Sequence, residues 1–264
     1  MRIATWNVNS LNVRLPRVEE WLADVQPDVV CLQETKLADE AFPALAFGAL
    51  GYESVHHGQG RWNGVAILSR VGLEDPLHGF GDLYEDPDAR LVWATCGGIR
   101  IASAYVPNGR SLADDHYRYK LEWLGALRRL LAETRSPDEP LVVAGDWNIA
   151  PTDADVWNPA RFVGATHVSE PERAEIAALE AWGLTDAFRV LQPEGGLFSW
   201  WDYRGGSFHK KEGLRIDLHL ASQPVIDRLT FATIDRNARK GKLPSDHAPV
   251  IVDLADRPAE RSTP

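Results

Sequence analysis

The segment "LPSDHAPVIVDL", Leu243–Leu254, places a carboxylate and an imidazole side by side where a loop enters a short apolar run. A strand sends successive side chains to opposite faces. That alternation relaxes at a loop-to-strand junction, so Asp246 and His247 can converge on one point. A plain turn is the alternative, with Asp246 bonded to its own backbone and Pro249 marking a strand edge. The rest of the chain decides between these two interpretations.

The composition is that of an ordinary globular protein, because 44% of the 264 residues are hydrophobic and 25% are charged. Without a Pro/Gly/Ser-rich linker or an internal repeat, the chain is expected to form one large domain over residues 1–257, followed by a tail at 258–264. The start, "MRIATWNVNS", lacks the features of a signal peptide, and no apolar stretch is long enough to span a bilayer. We expect a cytoplasmic protein with no membrane partner, in which Cys31 and Cys96 are reduced core thiols.

The charge of the chain is uneven. The net charge of −10 argues against a generic nucleic-acid coat, because phosphate binding requires local Lys and Arg. Basic residues gather in two segments, Asp202–Arg215 and Arg236–Lys242. A charge run is usually a solvated face, but the second run leads directly into the Ser-Asp-His motif, which favours a binding surface there.

Periodicity predicts a mixed α/β fold. The segments rich in β-branched and aromatic residues, which predict strands, are "RIATWNV", "DVVCLQE", "GVAILSR", "RLVWATC", "IRIASAYVP", "PLVVAGDWN", "LRIDLHLAS" and "APVIVDL". Helical periodicity covers "RLPRVEEWLADV", "HYRYKLEWLGALRRLLAE" and "SEPERAEIAALEAW", and the last opens with a capping box from Ser169 to Glu172. Because strands and helices do not alternate strictly, the pattern favours a sandwich of mixed sheets over a doubly wound parallel sheet.

Polar side chains recur where the predicted strands end. These residues are Asn7, Glu34, Tyr105, Asn108, Asp146, Asn148, Asp246 and His247. In open sheets, ligands bind beyond the strand ends, although a capped turn at Asn7 or a solvated strand end at Glu34 would also explain a single residue. Asp217 lies inside an apolar strand, where an unpaired carboxylate is costly, so it requires a partner such as a histidine or an arginine.

Together these residues predict one oxygen-rich site. Oxygen ligands without a cysteine cluster favour a hard divalent cation, Mg²⁺ with Mn²⁺ as a possible substitute. A buried Asp beside a His supplies an oriented imidazole, and the combination suits metal-assisted attack of water on a phosphoester. The histidines without an acidic setting are interpreted as surface or structural residues: His56, His57, His116 and His167.

Several longer motifs resemble those of a known family. They are "TWNVNS", "LQETK", "YVPNG", "GDWNIAP", "FSWWDYR", "GLRIDLHLAS" and "SDHAPV". In order and approximate spacing they resemble the exonuclease III family of abasic-site endonucleases, from Ile3 to about Leu254. The GDxN and SDH motifs are shared by a wider superfamily that includes deoxyribonuclease I, inositol polyphosphate phosphatases and sphingomyelinases. The LQETK, SWWDYR and GLRIDL segments are more specific to the narrower family.

The resemblance implies a fold and a set of residue roles. The fold would be a deoxyribonuclease I-like, four-layer α/β sandwich with two mixed β-sheets packed face to face between helices, and residues 1–257 would form the endonuclease/exonuclease/phosphatase catalytic domain. The implied metal ligands are Asn7, Glu34, Asp146, Asn148, Asp246 and His247, with Glu34 the principal carboxylate. The implied catalytic residues are Tyr105, Asp146, Asn148, Asp217 and His247.

Among these, Asp146 would activate or position the attacking water, and Asn148 would stabilise the charge on the scissile phosphate. Asp217 would orient His247, whose role as base or as cationic clamp stays open. The implied DNA contacts are Arg90, Asn108, Trp200, Arg204 and Lys240. Trp200 would lie near a pocket for a flipped-out abasic sugar.

The implied activity is Mg²⁺-dependent hydrolysis of double-stranded DNA on the 5′ side of abasic sites, with 3′–5′ exonuclease or phosphodiesterase activity at 3′ ends, by a monomer. A phosphomonoesterase or a lipid or inositol phosphodiesterase of the same superfamily is the alternative, which the pI near 5.3 mildly favours. However, "GLRIDLHL" stands where inositol phosphatases carry a Pro-x-x-x-Asp-Arg segment. A DNA-binding protein without catalysis is a third hypothesis, but such proteins lose a metal ligand or the histidine, and none is missing here.

Overall fold

The computed structural model describes residues 1–256, so the tail predicted at 258–264 lies outside the described residues. In chain order the elements are β1 (Arg2–Asn7), α1 (Leu11–Val25), β2 (Val29–Gln33), α2 (Ala44–Ala49), β3 (Glu53–His57), β4 (Val65–Ser69), β5 (Glu74–His78), β6 (Leu91–Cys96), β7 (Ile99–Tyr105), α3 (Asp115–Thr134), β8 (Leu141–Asp146), α4 (Glu170–Trp182), β9 (Leu184–Asp186), α5 (Ala187–Leu191), β10 (Trp200–Trp201), α6 (Ser207–Lys210), β11 (Gly213–Leu214), β12 (Asp217–Ser222), α7 (Gln223–Ile226), β13 (Leu229–Ile234) and β14 (Val250–Leu254).

Two six-stranded mixed sheets form the centre of the molecule. The first has the order β13-β14-β1-β2-β4-β3, and the second has the order β5-β6-β7-β8-β12-β9. In the first sheet β1 is parallel to β2 and antiparallel to β14. In the second, β8 is parallel to β7 and antiparallel to β12. The short strands β10 and β11 form a separate ribbon.

Three apolar layers hold the sandwich together. Between the sheets, Ile3 and Ile67 of the first pack in one buried cluster with Ile101 and Val142 of the second. On the outer face of the first sheet, α1 contributes Val18, Trp21 and Leu22 to a second cluster. On the outer face of the second sheet, α3 and α4 contribute Trp123, Leu127 and Ile176 to a third. The predicted four-layer α/β sandwich is therefore confirmed.

The predicted elements are present, and shorter ones accompany them. All eight predicted strands and all three predicted helices occur, and the Ser169–Glu172 capping box forms at the start of α4. Cys31 and Cys96 are buried free thiols, as predicted. The sequence patterns did not reveal β3, β5, β9, β10 or β13, and the single strand predicted from Leu214 to Ser222 is divided between β11 and β12. β3, β5, β9 and β13 lie at sheet edges, where the exposed face of a strand carries no apolar alternation.

The sheet topology brings the polar strand ends to one edge of the sandwich. Because β1 and β2 are parallel, Asn7 and the segment after Gln33 emerge at the same end. Because β8 and β12 are antiparallel, Asp146 at the end of β8 lies opposite Asp217 at the start of β12. The Ser-Asp-His segment precedes β14, which is antiparallel to β1, and so lies at that end too. Within residues 1–256, no helix has the length and apolar character that crossing a membrane requires.

Candidate active site

Asn7 joins a carboxylate from each sheet. Its side-chain Nδ2 donates to Oε1 of Glu34 at 2.8 Å and to Oδ2 of Asp146 at 2.9 Å, and the side chain is fully buried. The Oδ1 atom of Asn7 accepts a hydrogen bond from the backbone N–H of Asn9 at 2.9 Å. In this orientation Asn7 presents its amide nitrogen to the carboxylates and its oxygen to the turn that follows β1. A metal contact through Oδ1 would require the amide to turn over.

A second row of polar groups continues from Glu34 to Asp246. The Lys36 ammonium lies 2.8 Å from Oε2 of Glu34 and donates to Oδ1 of Asn9 at 2.6 Å. The Nδ2 atom of Asn9 donates to Oδ1 of Asp246 at 2.9 Å, and Oδ2 of Asp246 accepts from the Trp200 indole at 3.0 Å. A cationic side chain therefore lies among the oxygens of the row. The sequence analysis assigned no role to Asn9 or Lys36.

The set of oxygen donors fits a hard divalent cation. Glu34, Asp146 and Asp246 supply carboxylate oxygens on one rim, and the Lys36 ammonium beside Glu34 shows that the rim favours a positive charge. Among the described residues, the only group of three His, Cys, Asp or Glu side chains with ligand atoms within 4.8 Å of one another is Asp146, Asp217 and His247. This group and the rim that contains Glu34 meet at Asp146, which accepts from Asn7 on the rim side and faces His247 on the other.

His247 is the partner that the buried Asp217 requires. Its Nδ1 lies 2.9 Å from Oδ2 and 3.1 Å from Oδ1 of Asp217, and its Nε2 lies 3.7 Å from Oδ2 of Asp146. Burial lowers the pKa of His247, but the charges of Asp217 and Asp146 outweigh it and raise that pKa to about 10. Burial raises the pKa of Asp146 to about 7, although the His247 charge opposes the rise. The site therefore favours an imidazolium beside Asp217 and an Asp146 that holds or releases a proton near neutral pH.

Two serines fix the Ser-Asp-His turn to both sheets. The hydroxyl of Ser245 donates to the backbone carbonyl of Asn7 at 2.6 Å and accepts from the His247 N–H at 3.1 Å. The hydroxyl of Ser199 accepts from the Asp217 N–H at 3.1 Å, and its carbonyl accepts from the Ala248 N–H at 2.7 Å. These bonds hold the turn before β14 in a conformation that does not alternate its side chains between two faces. Asp246 and His247 therefore both face the site.

Asn148 lies on the opposite side of Asp146. Its backbone N–H donates to Oδ1 of Asp146 at 2.9 Å, and its side-chain Nδ2 donates to the Val106 carbonyl at 3.0 Å. Its Oδ1 accepts from Nδ2 of Asn108 at 3.0 Å. The hydroxyl of Tyr105 lies against Glu34. The pKa of this phenol is raised, mainly because it is buried and also because of the Glu34 charge. Asn148 is almost fully buried, whereas Asn108 is exposed.

Four of the predicted DNA contacts lie in three different settings. Trp200 lies at the site itself, through its bond to Asp246. Arg90 is only 4% exposed, and its guanidinium carbon lies 4.8 Å from the Tyr105 ring centroid while Nε bonds Asp88 at 3.0 Å. Arg204 and Lys240 are on the surface, Arg204 paired with its neighbour Asp202.

His167 and Lys120 belong to the site, and the sequence analysis did not place them there. The Nδ1 atom of His167 lies 2.5 Å from the Asn148 carbonyl, and Lys120 Nζ donates to the same oxygen at 2.7 Å. Burial, and then the charge of Lys120, lower the pKa of His167 to about 4. The interpretation of His167 as a surface or structural residue overlooked this position. No sequence signal could have found it, because both contacts are to a backbone carbonyl.

Carboxylates from two sheets around a buried Asp–His pair are the arrangement expected of a phosphoester hydrolase. Residues 4–247 match the Endonuclease/Exonuclease/phosphatase family, and the chain belongs to that family. Exodeoxyribonuclease III of Haemophilus influenzae is 35% identical over 266 residues, which cover 96% of this chain and 100% of that protein.

Two solved structures are also similar over nearly the whole chain. The 3′ phosphatase NExo from Neisseria, bound to a product DNA hairpin, is 41% identical with a TM-score of 0.93, over 97% of this chain and 100% of that one. An AP endonuclease from Archaeoglobus fulgidus is 34% identical with a TM-score of 0.92, over 96% and 99%. The predicted family and enzyme class, a DNA repair nuclease, are confirmed.

Proposed function

We propose that this DNA repair nuclease hydrolyses phosphoester bonds of double-stranded DNA at 3′ ends and on the 5′ side of abasic sites. The observation that carries the proposal is the meeting of Asp146 with Asn7 on one side and with the Asp217–His247 pair on the other. The two kinds of bond correspond to the activities of the similar 3′ phosphatase and AP endonuclease. The 3′ phosphatase has the higher identity of the two, so we place 3′ ends first.

We assign the metal to the oxygen-rich rim, with Mg²⁺ as the cation and Mn²⁺ as a substitute. The residues that would hold it are Glu34, as the principal ligand, with Asn7, Asp146, Asn148, Asp246 and His247 as further candidates. When bound, the metal would neutralise charge on the phosphate oxygens. His247 is the weakest of these candidates, because Asp217 engages Nδ1 and a protonated Nε2 has no lone pair to offer.

The proton transfers are assigned to Asp146 and His247. Oδ1 of Asp146 accepts from the Asn148 N–H, while Oδ2 accepts from Asn7 and lies 3.7 Å from Nε2 of His247. Because Oδ2 faces the site beside His247 and burial raises the pKa of this carboxyl, we assign to Asp146 the acceptance of the proton of the attacking water. His247, held by Asp217, donates from Nε2 to a phosphate oxygen as a cationic clamp. Tyr105 and the Asn148 amide complete the phosphate-facing wall.

DNA is proposed to lie across the rim, in contact with Arg90, Asn108, Trp200, Arg204 and Lys240. Trp200 and Asn108 border the site directly. Arg90 is proposed to contact DNA only through the small part of its guanidinium that is open. The single catalytic domain at residues 1–257, the monomeric state and the cytoplasmic location stay predictions.

The proposal is tested with two labelled duplexes, one carrying a 3′-phosphate at a nick and one carrying a single tetrahydrofuran abasic analogue. In Mg²⁺ the protein should release phosphate from the first and nick the second on the 5′ side. EDTA should abolish both reactions, because Mg²⁺ held by few protein ligands exchanges readily. Inositol phosphates offered in parallel should stay intact. If the protein hydrolysed inositol phosphates and left both duplexes intact, the phosphatase hypothesis would replace this proposal.

A further inference from the structure

Lys120 of α3 and Glu172 of α4 form an ion pair beneath the site. The Nζ atom lies 2.5 Å from Oε1, and both side chains are 0% exposed. A buried ion pair is a poor source of stability, since removing two charges from water costs as much as their attraction returns. The role of this pair must therefore be sought in the contacts that Lys120 and Glu172 make with other residues.

The Lys120 ammonium binds the backbone of two asparagines of the site. It donates to the Asn148 carbonyl at 2.7 Å and lies 3.4 Å from the Asn108 carbonyl. An ammonium has three N–H donors, so Glu172 and these two carbonyls account for all of them. Gly109 packs closely against the Lys120 side chain, because a Cβ added to Gly109 would lie 3.3 Å from Cδ of Lys120. The segments after β7 and β8 thus meet on one side chain from a helix behind them.

Glu172 fixes a third segment of the site. Its Oε1 accepts from the Thr166 hydroxyl at 2.7 Å and from the His167 N–H at 2.9 Å, and its Oε2 accepts from the Ser169 N–H at 3.0 Å. These bonds hold the segment before α4, from which the His167 ring reaches the Asn148 carbonyl. The pair therefore controls two of the contacts on that carbonyl, one directly and one through His167.

Asn148 depends on such contacts because its backbone is left-handed, with φ of 51°. A non-glycine residue keeps this conformation only where its surroundings enforce it. The same residue orients Asp146 through its N–H and holds its amide between Val106 and Asn108. A shift of the Asn148 backbone would therefore displace both its side-chain amide and its N–H bond to Asp146.

We propose that Lys120 and Glu172 are positioning residues for Asn148, which they hold, together with Asn108 and His167, in the geometry that hydrolysis requires. The inference rests on the proposed role of Asn148 at the phosphate. An apolar pair would pack the two helices equally well, but it could not hold the carbonyls. This positioning role explains why the protein keeps two buried charges beneath the site.

The first test is Lys120→Met, which fills a similar volume without donors. We expect kcat to fall about tenfold to a hundredfold at a nearly unchanged KM, because a misplacement far below the size of a side chain is enough to slow a reaction by that much. The matched control is Leu131→Ala, a fully buried residue of the same helix, which should lower Tm without lowering kcat. If Lys120→Met does not fold, Glu172→Gln keeps the helix cap and serves the same comparison.

The decisive measurement is a double-mutant cycle with Asn148→Ala. If Lys120 acts through Asn148, its replacement should cost less activity in the Asn148→Ala background than in the wild-type protein, since residues of one unit are not additive. Additive losses, or a Lys120→Met enzyme as active as Leu131→Ala, would overturn the inference. Failure of the proposed function looks different, because the wild-type protein would then cleave neither duplex.

Discussion

The Nδ1 atom of His247 lies 2.9 Å from Oδ2 of Asp217, and this contact crosses from one sheet to the other. Asp217 begins β12 in the second sheet, whereas His247 precedes β14 in the first. Asn7 and Asp146 make a similar contact across the sandwich at 2.9 Å. The relative placement of the proposed catalytic groups is therefore set by the packing between the sheets, through Ile3, Ile101 and the rest of the inter-sheet cluster.

Removal of either partner of the Asp217–His247 pair should abolish most of the activity. We expect His247→Ala and Asp217→Ala each to lower kcat by about two to four orders of magnitude, and the double variant to be little worse than either, because the two act as one unit. Single-turnover rates on the two duplexes measure this. Strictly additive losses would show that Asp217 and His247 act independently.

Glu34→Ala should separate metal binding from stability. The Glu34 side chain is 17% exposed, is paired with Lys36 and accepts from the buried Asn7 amide, so its removal should lower Tm modestly while the protein stays folded. Activity should fall by orders of magnitude, and Mn²⁺ should bind more weakly in a calorimetric titration. Asp253→Ala is the matched control, since that carboxylate has similar exposure and is paired with Arg2 at the far end of β1. Equal Mn²⁺ affinity in both variants would remove Glu34 from the metal site.

The sequence predicted the central elements of the fold and missed its periphery for a physical reason. β8 is an apolar run up to its last residue, and β1 is buried at five of its six residues, because both faces of these strands are covered. By contrast, β5 is exposed at every residue and contains a proline, Pro76, so neither periodicity nor propensity marks it. The order of the central elements could be predicted without tertiary information, whereas the edge strands of both sheets could not.

The same limit applies to the site. Carboxylates and amides at strand ends were visible in the sequence because parallel and antiparallel neighbours bring strand ends together. The roles of Lys120 and His167 were not visible, because both bind the backbone carbonyl of the distant Asn148, and the contact of Lys36 with Asn9 also joins residues that are far apart in sequence. A sequence also cannot distinguish an arginine on the surface, such as Arg204, from an enclosed one, such as Arg90.

The basic loop before the Ser-Asp-His motif should be tested at Lys240 and Lys242, which are exposed. Arg239 belongs to the same basic run but is only 8% exposed, donates to the Ser245 carbonyl and lies 4.9 Å from the Phe208 ring centroid. Replacing Arg239 would disturb the turn that holds His247, so it is not a test of surface charge.

With Lys240→Gln and Lys242→Gln, DNA binding should weaken for every sequence. The slope of log K against log salt should become shallower by up to about one unit per lost phosphate contact. Arg70→Gln with Arg135→Gln removes the same charge at the other end of the sandwich and should leave the slope unchanged. If the control and the lysine variant show the same slope, DNA does not follow this loop.

The last prediction concerns acid stability and His219, which is fully buried on β12 with no hydrogen-bond partner for either ring nitrogen among the described residues. Burial lowers the pKa of His219 from 6.5 to about 3. Between these two values the unfolded chain binds the proton and the folded chain does not, so the free energy of unfolding decreases as pH falls through that window. Each pH unit within it contributes up to about 1.4 kcal/mol. His219→Leu removes the group that titrates. Urea unfolding at pH 7, 5.5 and 4 should therefore show the variant gaining stability relative to wild type as the pH decreases. A difference that stays constant over this range would mean that His219 is solvated or paired in the folded protein.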